Sequence, residues 1–131
     1  MPTSFIKHKG VDIVWMNFAG EHDHAVAMEE IAAAQRFVAA QPRQRTLRVL
    51  VDVSGARWDA GILDALRKLA EADAPWVLAS TLVGISPIAR VVMRGLLLFT
   101  GRKIGVMRNA EQAKDWLVAQ ATPPQTVPDQ S

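Results

Sequence analysis

The sequence contains no cysteine among its 131 residues. Disulfide bonds, thiolate metal sites and a cysteine nucleophile are therefore excluded. The first nine residues, which end in Lys7-His8-Lys9, lack the apolar stretch of a secretory signal peptide. No run of the chain approaches the ~18 consecutive apolar residues that a membrane-spanning helix needs. We therefore expect a cytoplasmic protein with no integral membrane segment.

Acidic residues are absent from a long stretch of the chain, Ala74 to Ala110. The same stretch carries a charge of +5, from Arg90, Arg94, Arg102, Lys103 and Arg108. Because the whole chain has a net charge of +2, the remaining residues together carry −3. This asymmetry indicates a basic face and an anionic or acidic partner, unless the arginines only solubilise helix ends. We expect no nucleic-acid partner, because a single aromatic residue, Phe99, lies between Arg90 and Arg108.

The stretch from Leu47 to Leu69 predicts a buried strand, a tight turn and an amphipathic helix. Its strand is a nearly continuous apolar run, as in a central strand that is covered on both faces. Asp52, Ser54 and Gly55 end the strand, and Asp59 suits the N-cap of the helix. The predicted core stripe of the helix consists of Ile62, Leu63, Leu66, Leu69 and Ala70.

The rest of the chain continues the alternation of strands and helices. Strands are predicted at Phe5–Lys9, Val11–Phe18, Leu47–Val53, Trp76–Ile85 and Lys103–Met107. Helices are predicted at Asp23–Gln41, from Asp59 to the break at Ala74-Pro75, at Pro87–Gly101 and after the Asn109 cap. This order predicts a single α/β domain over residues 1–121. Its five-stranded sheet is mostly parallel with an antiparallel N-terminal edge, and about four helices cover it. Thr122–Ser131 is predicted to be a disordered tail.

Four segments of the chain resemble one bacterial family. They are HKGVDIVWMNFAG at 8–20, VDVSGARWDAGILDAL at 51–66, LVGISPIARVVMRGLLLFTGRKI at 82–104 and NAEQAKDWL at 109–117. These segments are similar to SpoIIAA-like proteins, which are related to STAS domains and comparable in fold to CRAL-TRIO lipid carriers. The resemblance implies a SpoIIAA-like fold and a binding module that is not an enzyme.

The resemblance also identifies a difference. STAS proteins of the anti-sigma-factor antagonist type carry a phosphorylatable serine in a turn that precedes a helix. The matching segment here is Asp59-Ala60-Gly61-Ile62, in which Ala60 or Gly61 stands where the serine is expected. Neither residue has a hydroxyl group, so we expect no phosphorylation at this position. Ser54 lies earlier in the turn and is interpreted as a turn former.

Two polar groups invite a chemical interpretation. The segment His22-Asp23-His24, with His8 elsewhere, suggests a metal site. Residues two apart do not share a helical face, so the two histidines would not converge on one ion. We therefore interpret His22, Asp23 and His24 as helix-start residues. Asp52, Arg57 and Asp59 gather at the carboxyl end of the central strand, where acid–base chemistry is one alternative. No nucleophile set, phosphate loop or ligand spacing accompanies them, so a structural use is favoured. We expect no cofactor and no metal.

The predicted Pro87–Gly101 helix is apolar around most of its circumference. Such a helix is either wedged deeply in the core or exposes an apolar strip to a partner. Our first hypothesis is a STAS-like regulatory or interaction module that binds a protein partner or forms a homodimer. The second is a carrier or sensor of a small lipid or another apolar anionic ligand. The predicted interaction surface consists of Ser54, Arg57, Asp59, Arg90, Arg94 and Leu97.

Overall fold

The computed structural model describes residues 3–56, 59–85 and 103–120. Its strands are β1 (Thr3–His8), β2 (Val11–Asn17), β3 (Leu47–Asp52), β4 (Val77–Val83) and β5 (Lys103–Met107). Its helices are α1 (His24–Ala39), α2 (Ala60–Asp73) and α3 (Ala110–Ala119), and a 3-10 turn at Ala74–Trp76 precedes β4. These bounds differ from the sequence predictions by a few residues at most. The predicted Pro87–Gly101 helix and Thr122–Ser131 tail lie outside the described residues.

The five strands form one sheet in the order β1-β2-β3-β4-β5. The β1–β2 pair is antiparallel, and the other three pairs are parallel. A tight turn at Lys9-Gly10 joins β1 to β2, with both residues at positive φ. The predicted mixed sheet with an antiparallel N-terminal edge is therefore confirmed.

Helices α1 and α2 cover one face of the sheet, because each presents a stripe of apolar residues at helical spacing. The predicted stripe of α2 is buried at four of its five positions, and Leu63 is half-buried. In α1, the buried residues are Ala27, Ile31, Ala34 and Val38. Helical spacing within Asp23–Gln41 predicts a core face that also includes His24, Met28 and Gln35, but all three are exposed, so this part of the prediction is wrong. The helix is rotated so that Phe37, on the opposite flank, packs against Phe5 of β1, with ring centroids 5.3 Å apart.

Helix α3 covers the other face, where Ala113 and Leu117 are fully buried against Leu50 and its neighbours. The predicted cap is confirmed, since the Asn109 side chain accepts a hydrogen bond from the Gln112 backbone N–H. Arg48 of β3 binds the other end of the helix: its guanidinium donates to the backbone oxygens of Leu117 and Gln120 at 2.9 and 2.8 Å. Within the described ranges, no helix is long and apolar enough to cross a membrane.

Candidate interaction surface

The carboxyl ends of β2, β3 and β4 are joined by backbone hydrogen bonds that continue past the strands. Phe18 N–H donates to the Asp52 oxygen, and Gly20 N–H donates to the Ser54 oxygen, each at 2.8 Å. Val53 N–H donates to the Val83 oxygen at 2.9 Å. Open α/β sheets usually bind ligands in a crevice at this edge. Within the described residues, the turns after β2 and β3 are bonded to each other, and Gly84, which follows β4, packs against Ser54.

Close approach of the turns requires a glycine at position 84. Gly84 has a φ of +83°, and a Cβ on it would lie 2.1 Å from the Ser54 hydroxyl oxygen and 2.5 Å from the Ser54 Cα. Gly55 has a φ of +69° and lies beside Gly20, whose backbone would be 4.0 Å from a Cβ at position 55. Asp52 accepts a hydrogen bond from the Ser54 N–H at 3.0 Å, which confirms Ser54 as a turn residue. We call the surface formed by Gly20, Ser54, Gly55 and Gly84 the platform.

A histidine–aspartate pair lies at the helix starts beside these turns. Asp59 accepts the Ile62 N–H at 2.8 Å, which confirms it as the N-cap of α2. Its second oxygen lies 2.7 Å from Nδ1 of His24, the first residue of α1. Gly61 leaves space for the ring, because a Cβ there would be 3.1 Å from His24 Cε1. The pair therefore connects the N-termini of α1 and α2, and about half of each side chain remains exposed.

The environment of Asp59 favours its charged form. The hydrogen bond from the Ile62 backbone N–H is the main cause that lowers the pKa of this carboxyl, followed by the hydrogen bond with His24. A carboxyl whose pKa is lowered in the folded protein stabilises the fold above its unfolded pKa. That contribution is lost as the pH falls through the folded pKa.

We therefore expect Asp59→Asn to destabilise the protein in a pH-dependent way. Asparagine also caps helices well, so the substitution removes mainly the charge. The difference in unfolding free energy between wild type and variant should have its maximum value at neutral pH. It should shrink as the pH falls below about 3.8, the ordinary value for Asp, and vanish below the folded pKa. Urea unfolding at a series of pH values measures it, with Asp23→Asn, at the α1 N-cap, as the control. A difference that stays constant down to pH ~2 would show that the carboxylate charge is not involved.

The structure brings some of the predicted site residues together. Ser54 and Asp59 both lie at the carboxyl edge, and Asp52 and Asp59 each bind a backbone N–H as expected for a structural use. Arg57, Arg90, Arg94 and Leu97 lie outside the described residues. His8 lies away from the other histidines and bonds Asp115 of α3 at 2.8 Å. The sequence reasoning missed the His24–Asp59 pair, although a glycine in the first turn of a helix was a signal of close approach.

Two cavities lie between the sheet and its helices. The larger, of about 40 Å³, lies beneath α2 and is mainly apolar, with Asp73 and Ser80 in its lining. The smaller, of about 20 Å³, lies between α1 and α2 at the platform end. Sites for small-molecule ligands usually measure ~300–1,000 Å³, and a water molecule needs ~10–15 Å³. These two cavities are therefore large enough for water but not for an acyl chain.

Comparison with known proteins places the fold. The sequence matches no family model and no curated protein. It is similar in structure to an uncharacterised protein of the DUF3478 family from Shewanella loihica PV-4, which is described as having a SpoIIAA-like fold. The match has a TM-score of 0.69, covers 88% of this chain and 91% of that chain, and has 14% sequence identity. At this identity the likeness concerns architecture alone, and it confirms the fold that the sequence resemblance predicted. The chain has a SpoIIAA-like fold.

Proposed function

We propose that this protein is a non-enzymatic interaction module that binds a protein partner through the platform and the adjoining His24–Asp59 pair. The observation that carries the proposal is the packing of Ser54 against Gly84, with the turns after β2 and β3 bonded to each other. Among the described residues, this arrangement fills part of the edge where α/β sheets usually bind a ligand. It favours contact with a surface over enclosure of a small molecule.

The geometry also suits association energetically. A turn that is already fixed by backbone hydrogen bonds loses little conformational freedom on binding, so more of the contact energy appears as affinity. The small residues of the platform allow a partner backbone to approach closely. The half-exposed His24–Asp59 pair supplies polar groups beside this small-residue surface, as at the rim of protein interfaces.

The competing functions have weaker support. A lipid carrier needs an enclosed apolar volume, and the two cavities described above, both lined by described residues, are smaller than a usual ligand site by roughly an order of magnitude. An enzyme that uses Asp52 and Asp59 needs carboxylates free to exchange protons with a substrate. Each of these carboxylates instead holds a backbone N–H, and the pKa of Asp59 is lowered rather than matched to neutral pH.

Ala60→Arg tests the proposal, because Ala60 is exposed, begins α2 and follows Asp59 directly. The long cationic side chain should obstruct the surface and lower partner affinity at least about tenfold. Ala40→Arg is the matched control, since Ala40 is also exposed but caps α1 at the opposite edge of the sheet. Both variants are checked by circular dichroism. Each is then used with wild type to capture partners from native extract, with quantification by mass spectrometry.

The expected result is a protein retained by wild type and Ala40→Arg and depleted with Ala60→Arg. Equal retention by all three proteins contradicts the platform as the binding surface. Native mass spectrometry of freshly purified protein addresses the carrier hypothesis directly. A discrete added mass of lipid size, unaffected by Ala60→Arg, would overturn the interaction module in favour of the carrier.

A further inference from the structure

One ring nitrogen of His24 remains available beside the platform. His24 is the first residue of α1, and its Nδ1 atom lies 2.7 Å from Oδ2 of Asp59. The other nitrogen, Nε2, makes no hydrogen bond in the described part of the chain. The side chain of His24 is 55% exposed. Nε2 is therefore a polar atom that a binding partner can reach.

Asp59 determines which of the two ring nitrogens carries the proton. Its Oδ1 accepts the Ile62 N–H at 2.8 Å, and this hydrogen bond is the main cause that lowers the pKa of the carboxyl. An ionised carboxylate can only accept hydrogen bonds, so Nδ1 of His24 must be the donor in the contact with Oδ2. In the neutral ring the other nitrogen then has no proton. Nε2 is therefore a hydrogen-bond acceptor.

Gly61 allows the ring to take this position. A Cβ on Gly61 would lie 3.1 Å from Cε1 of His24 and 3.2 Å from Oδ1 of Asp59. These distances are tighter than those of most Cβ contacts, so a side chain at position 61 would push the ring or the carboxylate aside. The same Cβ would lie 3.8 Å from Nε2. Glycine therefore keeps the ring against Asp59 and leaves Nε2 uncovered on this side.

We infer that His24 determines the specificity of the platform, and that its Nε2 accepts a hydrogen bond from an N–H or O–H group of the protein partner. The inference rests on the proposed function and specifies the chemistry of that partner. A carbonyl or carboxylate oxygen opposite Nε2 would place two acceptors against each other, so a partner with such a group is disfavoured. A backbone N–H or a hydroxyl satisfies the nitrogen instead. Because Asp59 orients the ring before binding, little side-chain freedom is lost in the complex.

Long-range proton–nitrogen NMR spectra of the ¹⁵N-labelled protein test the proton position without any partner. They are recorded at pH ~9, well above the ordinary histidine pKa of ~6.5. His24 should carry its proton on Nδ1, and loss of its signals in His24→Gln assigns them. His8 is the internal control, because it contacts the Asp115 carboxylate through Nε2 and should carry its proton there. A proton on Nε2 of His24 would make this atom a donor and would overturn the inference.

Two substitutions at position 24 test whether the partner uses this acceptor. The glutamine of His24→Gln can place its amide oxygen near the position of Nε2, whereas the shorter asparagine of His24→Asn reaches only the position of Nδ1. Both variants are checked by circular dichroism.

The binding probe for these variants is the protein that wild type retains and Ala60→Arg loses, titrated by calorimetry. His24→Asn should weaken its affinity at least about tenfold, because the partner's donor is left without an acceptor, and His24→Gln should retain most of the affinity. Equal loss in both variants, or full affinity in His24→Asn, overturns the inference while the effect of Ala60→Arg still supports the platform. Retention that Ala60→Arg does not reduce contradicts the proposed function itself.

Discussion

Gly84→Ala should lower the free energy of unfolding by about 2–5 kcal/mol, because two separate penalties act at one residue. Gly84 has a φ of +83°, a conformation that a side chain disfavours by ~1–2 kcal/mol. The new methyl group would also overlap the Ser54 hydroxyl oxygen at 2.1 Å and the Ser54 Cα at 2.5 Å. A backbone atom cannot rotate away, so the Ser54 turn itself must move.

Gly10→Ala separates these two penalties. Gly10 has nearly the same φ, +80°, but a Cβ there would meet nothing within 4 Å. Its cost should therefore be the conformational part alone, about 1–2 kcal/mol. Urea unfolding of both variants measures the comparison. Equal losses at the two positions would show that the contact between Gly84 and Ser54 is not tight in solution, and the platform would lose its main structural support.

Local patterns predicted most of the fold correctly, because they depend on neighbours in the sequence. The apolar run from Leu47 to Val53 predicted a central strand, and residues Leu47–Asp52 form β3 in the middle of the sheet. Asp59 and Asn109 were predicted as N-caps, and each accepts a backbone N–H three residues later. Caps and strand periodicity depend on residues close together in the sequence, so they can be predicted from the sequence alone.

The features that support the proposed function depend on distant contacts instead. His24 and Asp59 are 35 residues apart, and no periodicity in either segment pairs them. Distant contacts also form the platform. Gly20 bonds Ser54, and Ser54 contacts Gly84, so each contact joins residues about 30 or more positions apart in the sequence. The rotation of α1 is a similar case, since the Phe5–Phe37 contact that accompanies it lies between β1 and α1. Periodicity gave the width of the apolar stripe but not the flank that tertiary packing selects.

Leu66→Ala should lower the free energy of unfolding by ~2–5 kcal/mol, the range for truncating a buried leucine. Leu66 is buried between α2 and the sheet and lines both cavities. Truncation would therefore join two spaces that already exist, and the surrounding side chains have little freedom to fill the enlarged void. Because the cost rises with the volume left empty, the expected value lies in the upper half of the range.

Leu63→Ala provides the matched control, since Leu63 lies in the same helix but is only half-buried. Its truncation removes the same atoms from a site that solvent partly reaches, so its cost should be less than half that of Leu66→Ala. Urea unfolding gives both values when the two variants are fitted with the same dependence of unfolding free energy on urea concentration. A loss below ~1 kcal/mol for Leu66→Ala would mean that α2 does not bury this face against β3. The placement of the His24–Asp59 pair beside the platform would then be wrong as well, because Asp59 is the N-cap of the same helix.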